Sequence, residues 1–230
     1  MADHDDLFKE LIRTFLFEFL DLFMPTSFTS NMDSSFCTEL NTELPAVLGP
    51  GKSSRTDLVF EIRNKQARRF CVHIEIESSN DSNFAERMFY YYGLLRKKYN
   101  LPVLPIAVFS FKNPLSLQSS QLDEEIDGIK VVHFEFQLIQ LNQLRWRDFL
   151  EVDNSIALAL VSCMTFTENE RVEVKLKCLC KLVSRQLTPE KARIIQRFND
   201  AYLDLTPAEI TTLKQLMTEL ELAQQEAIMT

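Results

Sequence analysis

Three acidic residues occupy two stretches of sequence that are typical of neighbouring β-strands. Asp57 lies in RTDLVFEI at 55–62, and Glu75 and Glu77 lie in RFCVHIEIE at 69–77. Because side chains alternate between the faces of a strand, Glu75 and Glu77 share one face. A hairpin with an odd number of loop residues would place Asp57 opposite Glu75. The spacing therefore predicts carboxylates from two strands within reach of one cation.

Clustered carboxylates repel one another unless a positive charge lies between them, and a hard divalent ion with oxygen ligands is the usual occupant. Mg²⁺ or Mn²⁺ is the cofactor that such a cluster predicts. An alternative stays open, because strands with one exposed face often carry Glu on that face. In that alternative Glu61, Glu75 and Glu77 are simply hydrated, and the pattern alone favours it.

Composition sets limits on the kinds of protein that this chain can be. A chain of 230 residues, 46% of them hydrophobic, can form one domain with an appendage or two small domains. The net charge of −8 argues against a protein that coats nucleic acid. Residues 51–100, however, contain ten Lys and Arg against six Asp and Glu, so the window that holds the acids is locally positive and could face phosphate.

Targeting and redox signals point to a cytoplasmic protein without a membrane segment. The first six residues are acidic where a secretory signal is basic, and no apolar run is long enough to cross a bilayer. The five cysteines are odd in number and match no zinc spacing, so they are interpreted as free thiols.

Hydrophobic periodicity predicts the elements that position the acids. It indicates a helix at 5–23, strands at 55–62, 69–77, 101–111 and 129–138, and a helix at 80–99. A strand, a helix and a strand in that order favour a parallel crossover, so the predicted fold class is α/β. The stretch 112–128 is interpreted as a polar loop, and no element is assigned to 25–54.

The last third of the chain is predicted to be helical. Helices are expected at 155–164, 171–185, 189–203 and 207–227, the last two beginning with Thr-Pro pairs that suit an N-cap followed by proline. This change of character predicts a core at 1–150 and a helical C-terminal region at 151–230. The Leu-rich final segment could pack on the domain or pair with a second copy in a homo-oligomer.

Five short segments follow one another in an order typical of one protein family. They are DDLFKELI at 5–12, TDL at 56–58, HIEIES at 73–78, ERMFYY at 86–91 and PVLPIAVF at 102–109. Together they resemble the Rpn-type PD-(D/E)XK nuclease family transposase proteins of bacteria, over the first two thirds of the chain in motif and over the helical tail in general character. The resemblance implies a restriction-endonuclease-like core, a mixed sheet flanked by helices.

The resemblance also implies roles for single residues. Asp57 and Glu75 would be the first and second metal ligands, and Glu10 would match an acid that some members add to the metal shell. Glu77 would complete the catalytic set, although it stands where the motif has Lys or, commonly in this family, Gln. Thr56 stands where the motif often has Pro. A positive rim for DNA would come from four residues: Arg55, Arg69, Arg87 and Lys97.

Two functions follow from this resemblance. The first is a Mg²⁺- or Mn²⁺-dependent endonuclease that hydrolyses DNA phosphodiester bonds in recombination or in mobile elements. The second is a catalytically weakened or inactive relative that acts as an interaction or DNA-associated module. Glu77 separates them, since a carboxylate cannot supply the positive charge of the motif's Lys.

Overall fold

The computed structural model describes residues 4–44 and 54–228, and these form two compact units. The first, here called the sheet unit, is Phe23–Asn142. The second, the helical unit, combines Met1–Leu22 with Gln143–Thr230. The first helix of the chain is therefore grouped with the C-terminal helices. The sequence predicts a domain boundary near residue 150, and that boundary stays a prediction.

In the described residues three helices come first, the strands follow between residues 32 and 140 with α4 among them, and only helices come after residue 140. The strands are β1 Met32–Glu39, β2 Glu43–Leu44, β3 Ser54–Arg55, β4 Leu58–Asn64, β5 Arg69–Glu77, β6 Val103–Phe109, β7 Gln121–Ile126, β8 Ile129–Glu135 and β9 Gln137–Gln140. The α-helices are α1 His4–Thr14, α2 Leu16–Phe23, α3 Thr26–Thr29, α4 Phe84–Tyr99, α5 Trp146–Leu150, α6 Ala157–Leu160, α7 Arg171–Ser184, α8 Pro189–Tyr202 and α9 Pro207–Ile228. Side chains of α9 are described as far as Leu220.

The sheet unit is built on a mixed five-stranded sheet in the order β1-β4-β5-β6-β9. The β1–β4 and β4–β5 pairs are antiparallel, whereas β5–β6 and β6–β9 are parallel. The parallel β5–β6 pair is the one that the strand, helix, strand order predicts. Two further pairs, β2–β3 and β7–β8, form separate antiparallel ribbons.

The β4–β5 hairpin fixes the register on which the acidic cluster depends. Arg63 pairs with Arg69 across a loop of five residues, an odd number as the acidic pattern requires. Asn64 shapes this loop, because its Oδ1 accepts hydrogen bonds from the backbone N–H groups of Gln66 and Arg68 at 3.1 and 2.9 Å. Ala67 adopts a left-handed conformation with φ 61° within the same turn.

Helix α4 covers the face of the sheet on which the odd-numbered residues of β4 and β5 lie. Its buried side chains recur at helical spacing, and they are Phe84, Met88, Tyr91 and Leu95. They pack on strand residues that include Val59, Cys71 and Ala107. The helix ends at Asn100, which takes a left-handed conformation with φ 52° and donates its N–H to the Arg96 carbonyl.

The helical unit is held by aromatic and charged contacts between distant parts of the chain. Phe8 of α1 meets Phe198 of α8 edge to face at 4.8 Å between ring centroids. The predicted cap before α8 is confirmed, since Thr188 accepts a hydrogen bond from the Lys191 N–H and Pro189 is the first residue of the helix.

No helix in the described part of the chain combines the length and apolar character that crossing a membrane requires.

The predicted α/β class, a mixed sheet with helices and a helical C-terminal part, is confirmed at that level. Several boundaries were wrong. The stretch 25–54 contains β1, and the supposed loop at 112–128 contains β7. The helix predicted at 5–23 is divided at Phe15, and the strand predicted at 129–138 is interrupted at Phe136. β1 and β7 were missed because their sequences, MDSSFCTE and QLDEEI, are mostly polar and exposed.

We predict that Leu95→Ala destabilises the protein by about 2–5 kcal/mol, because the Leu95 side chain on the buried face of α4 is fully buried and its removal leaves a cavity. Leu94→Ala is the matched control, since Leu94 is the neighbouring leucine and only partly buried. Urea denaturation followed by far-UV circular dichroism measures both. Equal losses for the two variants would contradict this account of the packing.

Candidate functional site

The structure brings Asp57 and Glu75 together on adjacent strands. Leu58 pairs with Ile74 in the hairpin register, so Asp57 comes next opposite Glu75. The Asp57 backbone N–H donates to Glu75 Oε1 at 3.0 Å, and the Ile76 backbone N–H donates to Asp57 Oδ2 at 2.8 Å. Each carboxylate is thus held by a backbone donor of the opposite strand, which fixes both side chains relative to the sheet.

His73 supports Glu75 from two residues earlier on the same face of β5. Its Nε2 lies 2.8 Å from Glu75 Oε1, and the imidazole is completely buried. Its Nδ1 is also buried and has no hydrogen-bond partner in the described structure. Since an ionised carboxylate only accepts hydrogen bonds, this geometry fits the tautomer in which Nε2 carries the proton and donates it to Glu75.

Tyr91 of α4 lies close to the His73–Glu75 pair. The Tyr91 ring from α4 meets the His73 ring edge to face at 5.9 Å. Burial, followed by the negative charge of Glu75, raises the pKa of Tyr91, so the phenol stays protonated near neutral pH. Glu61 and Glu75 are themselves only 7% and 6% exposed, so the solvent-facing alternative is wrong for both residues.

Glu77, the third predicted catalytic acid, is neutralised by an arginine. Its Oε2 accepts from Arg87 Nη2 at 2.5 Å, and a second Arg87 nitrogen pairs with Asp81. Glu77 Oε1 accepts from the Ser79 hydroxyl at 3.1 Å. Burial acts to lower the pKa of the Arg87 guanidinium, but the hydrogen bond and the charge of Glu77 outweigh it, and the pKa is raised.

The four residues predicted to contact DNA have different surroundings. Arg69 pairs with buried Glu61, and Arg87 is committed to Glu77 and Asp81. Arg55 donates from Nε to the Thr42 hydroxyl at 3.1 Å, and Lys97 is exposed near the end of α4. Their roles toward DNA stay predictions.

Glu10, the remaining predicted metal ligand, lies on α1 in the helical unit. Its two carboxylate oxygens accept from Arg197 Nη1 at 3.2 and 3.1 Å, across an exposed ion pair with α8. The structure gives Glu10 a role in joining these two helices. Its place in a metal shell stays a prediction.

The donor set suits a divalent cation with two protein carboxylates. Asp57 and Glu75 offer hard oxygen ligands, and Mg²⁺ often takes only one or two carboxylates and completes its shell with water and phosphate. The Asp57 backbone N–H and the His73 imidazole both bond Glu75 through Oε1 and not through Oε2. Within residues 4–44 and 54–228, no group of three or more His, Cys, Asp or Glu is arranged to hold a metal ion.

Two residues of this site were missed by the sequence analysis. His73 was given no role, although its spacing of two from Glu75 on one strand was a usable signal. Asp81 was not considered, because its pairing with Arg87 depends on the turn between β5 and α4. That turn cannot be read from strand or helix periodicity.

We predict that Arg87 and Glu77 stabilise each other by about 1–2 kcal/mol, more than an exposed pair, because both side chains are largely buried. A double-mutant cycle with Arg87→Ala and Glu77→Ala, measured by urea denaturation, gives this coupling. The exposed pair Lys177–Glu173 on α7 is the control and should give about 0.3–0.5 kcal/mol. A coupling no larger than the control would contradict the prediction.

Comparisons of the chain with protein-family models, with curated proteins and with solved structures found no match.

Proposed function

We propose that the sheet unit is a metal-dependent nuclease that hydrolyses DNA phosphodiester bonds. Its active site would consist of Asp57, Glu75 and Glu77. One observation carries the proposal: Asp57 and Glu75 lie opposite each other and are anchored by each other's strands through backbone N–H groups. Two carboxylates held side by side in a largely buried setting repel each other, and a bound cation would relieve that repulsion. The restriction-endonuclease-like fold and the family resemblance belong to the same proposal.

Asp57 and Glu75 would hold Mg²⁺ or Mn²⁺. When bound, such an ion neutralises charge on the scissile phosphate and lowers the pKa of a coordinated water. His73 and the Asp57 N–H donate hydrogen bonds to Glu75 Oε1, and the other oxygen of that carboxylate would bind the ion. The chain's own contribution is therefore a carboxylate pair that needs little rearrangement to bind a cation.

Arg87 supplies the positive charge that the strand position lacks. The motif has a Lys at the position of residue 77, whereas this chain has Glu77, which accepts a hydrogen bond from the Arg87 guanidinium at 2.5 Å. The positively charged side chain therefore comes from α4 instead of β5. A guanidinium so placed can attract a phosphate oxygen, while Glu77 keeps acceptor capacity for orienting a water.

DNA would be held by positive residues around the same unit. Arg55 and Lys97 are exposed and can reach phosphates without breaking an ion pair described in the structure. Arg69 and Arg87 would have to share their charge with Glu61 and Glu77. We therefore expect Arg55 and Lys97 to contribute more to salt-dependent DNA binding than Arg69 does.

A second candidate function is a non-catalytic DNA-associated or interaction module on the same fold. The observation that favours it is the engagement of Glu77 by Arg87 and Ser79, which leaves two acids instead of three for a metal. A two-acid site that binds a cation without cutting DNA would fit this arrangement.

We predict that the purified protein nicks or cuts plasmid DNA with Mg²⁺ or Mn²⁺ and stops when EDTA is added. Asp57→Asn and Glu75→Gln should each lower the rate by about a hundredfold or more, because each removes a charged ligand from the cation. Glu86→Gln is the matched control, since Glu86 is an exposed acid of the same unit that bonds Tyr90, and it should keep full activity.

Calorimetric titration with Mn²⁺ separates the two candidate functions. Metal binding that is lost in Asp57→Asn, without DNA cleavage by the wild type, would favour the non-catalytic module. Cleavage that survives Asp57→Asn and Glu75→Gln would contradict a site at these residues. If Glu77→Lys or Glu77→Gln raises cleavage, the wild type is a weakened nuclease.

A further inference from the structure

A cavity of the sheet unit lies at the far end of β5 from Glu75. Its volume is about 390 Å³, within the range of small-molecule sites. Phe70, which lines it, is five residues before Glu75 on the same strand, a separation of about 16 Å at the rise of a β-strand. The cavity is thus separate from the acidic site.

The cavity walls are mainly apolar. They come from α3, from the starts of β1, β5 and β6, and from Pro102, which precedes β6; the apolar residues are Phe28, Met32, Phe70, Pro102, Val103 and Leu104. Phe28 and Phe70 meet edge to face, with ring centroids 5.7 Å apart. An arrangement of this kind accepts a flat apolar group between aromatic and aliphatic side chains.

Two of the polar lining residues, Asn64 and Arg68, offer only hydrogen-bond donors to a ligand. The side-chain oxygen of Asn64 accepts hydrogen bonds from the Gln66 and Arg68 N–H groups, so only its NH₂ group is left for a ligand. Arg68 is exposed, and its guanidinium forms no ion pair with any residue in 4–44 or 54–228. Since a guanidinium only donates, a ligand here has to bring acceptors and negative charge.

We propose that this cavity binds a small aromatic anion, with its ring against Phe28 and Phe70 and its carboxylate or phosphate at Arg68 and Asn64. The neighbouring Arg63 is paired with Asp33, at 2.7 Å, which leaves Arg68 as the lining residue that carries an uncommitted charge in the described structure. The ligand class follows from charge complementarity combined with an apolar floor. This inference is independent of the nuclease proposal.

Binding of 2-naphthoate to the full chain, measured by calorimetry, tests the site, and neutral 2-naphthamide has the same ring. We expect the anion to bind about tenfold more tightly than the amide, because a hydrogen bond to a charged group is worth about that factor. Arg68→Gln should remove this difference, whereas Arg68→Lys should retain most of it. Lys65→Gln removes the same charge from the same hairpin without lining the cavity, and it should bind like the wild type.

Two more variants locate the ligand. Ser27→Trp places a large side chain at the exposed rim and should abolish binding of both compounds while the circular dichroism spectrum is unchanged. Asp57→Asn should bind naphthoate normally, which separates this cavity from the acidic site. The proposal is overturned if neither compound binds at about 1 mM, if both bind equally, or if Arg68→Gln and Lys65→Gln have the same effect.

Discussion

A carboxylate can be kept beneath a helix only if its oxygens find donors, and the sheet unit is arranged around that constraint. Glu75 is 6% exposed, and the ring of its partner His73 meets Tyr91 of α4 edge to face. Losing water around an ionised acid costs several kcal/mol unless hydrogen bonds or charges replace it. The Asp57 N–H and the His73 imidazole provide that replacement, and the opposite strand returns a bond to Asp57.

The same constraint explains why the hairpin register matters. With the five-residue loop of β4–β5, Asp57 lies opposite Glu75, and a slip of one residue would turn one acid to the other face. Asn64 and the left-handed Ala67 hold that loop length. A local turn therefore determines whether the two carboxylates share a site.

Charge compensation of the other acids follows a different route. Glu77 and Glu61 are not held by backbone donors of a partner strand but by Arg87 and Arg69. Part of the positive charge of residues 51–100 is thus neutralised by acids within the molecule, which leaves less of it to bind a polyanion. Arg68 differs from Arg69 and Arg87, since no acid in the described structure neutralises it, and this is why it matters for the cavity at the far end of β5.

The sequence by itself determined the elements with strong periodicity and the pairing of the acids. Alternation placed β5 at Arg69–Glu77 as the structure has it, and Asp57 was expected opposite Glu75 on condition that the loop had an odd number of residues, which the structure provides. These features are local, because strand alternation and loop parity depend only on residues near one another along the chain. The polar strands β1 and β7 escaped detection, because pairing and not hydrophobic pattern defines them.

Only the tertiary structure decided the environment of the acidic face. The sequence favoured hydrated glutamates, but α4 lies over this face and buries Glu75 with His73 and Tyr91. It also brought Arg87 to Glu77, and it grouped the first helix with the C-terminal ones, where Glu10 meets Arg197. Each of these contacts joins residues whose approach depends on how whole elements pack, and packing of that kind leaves no periodic signal in the chain.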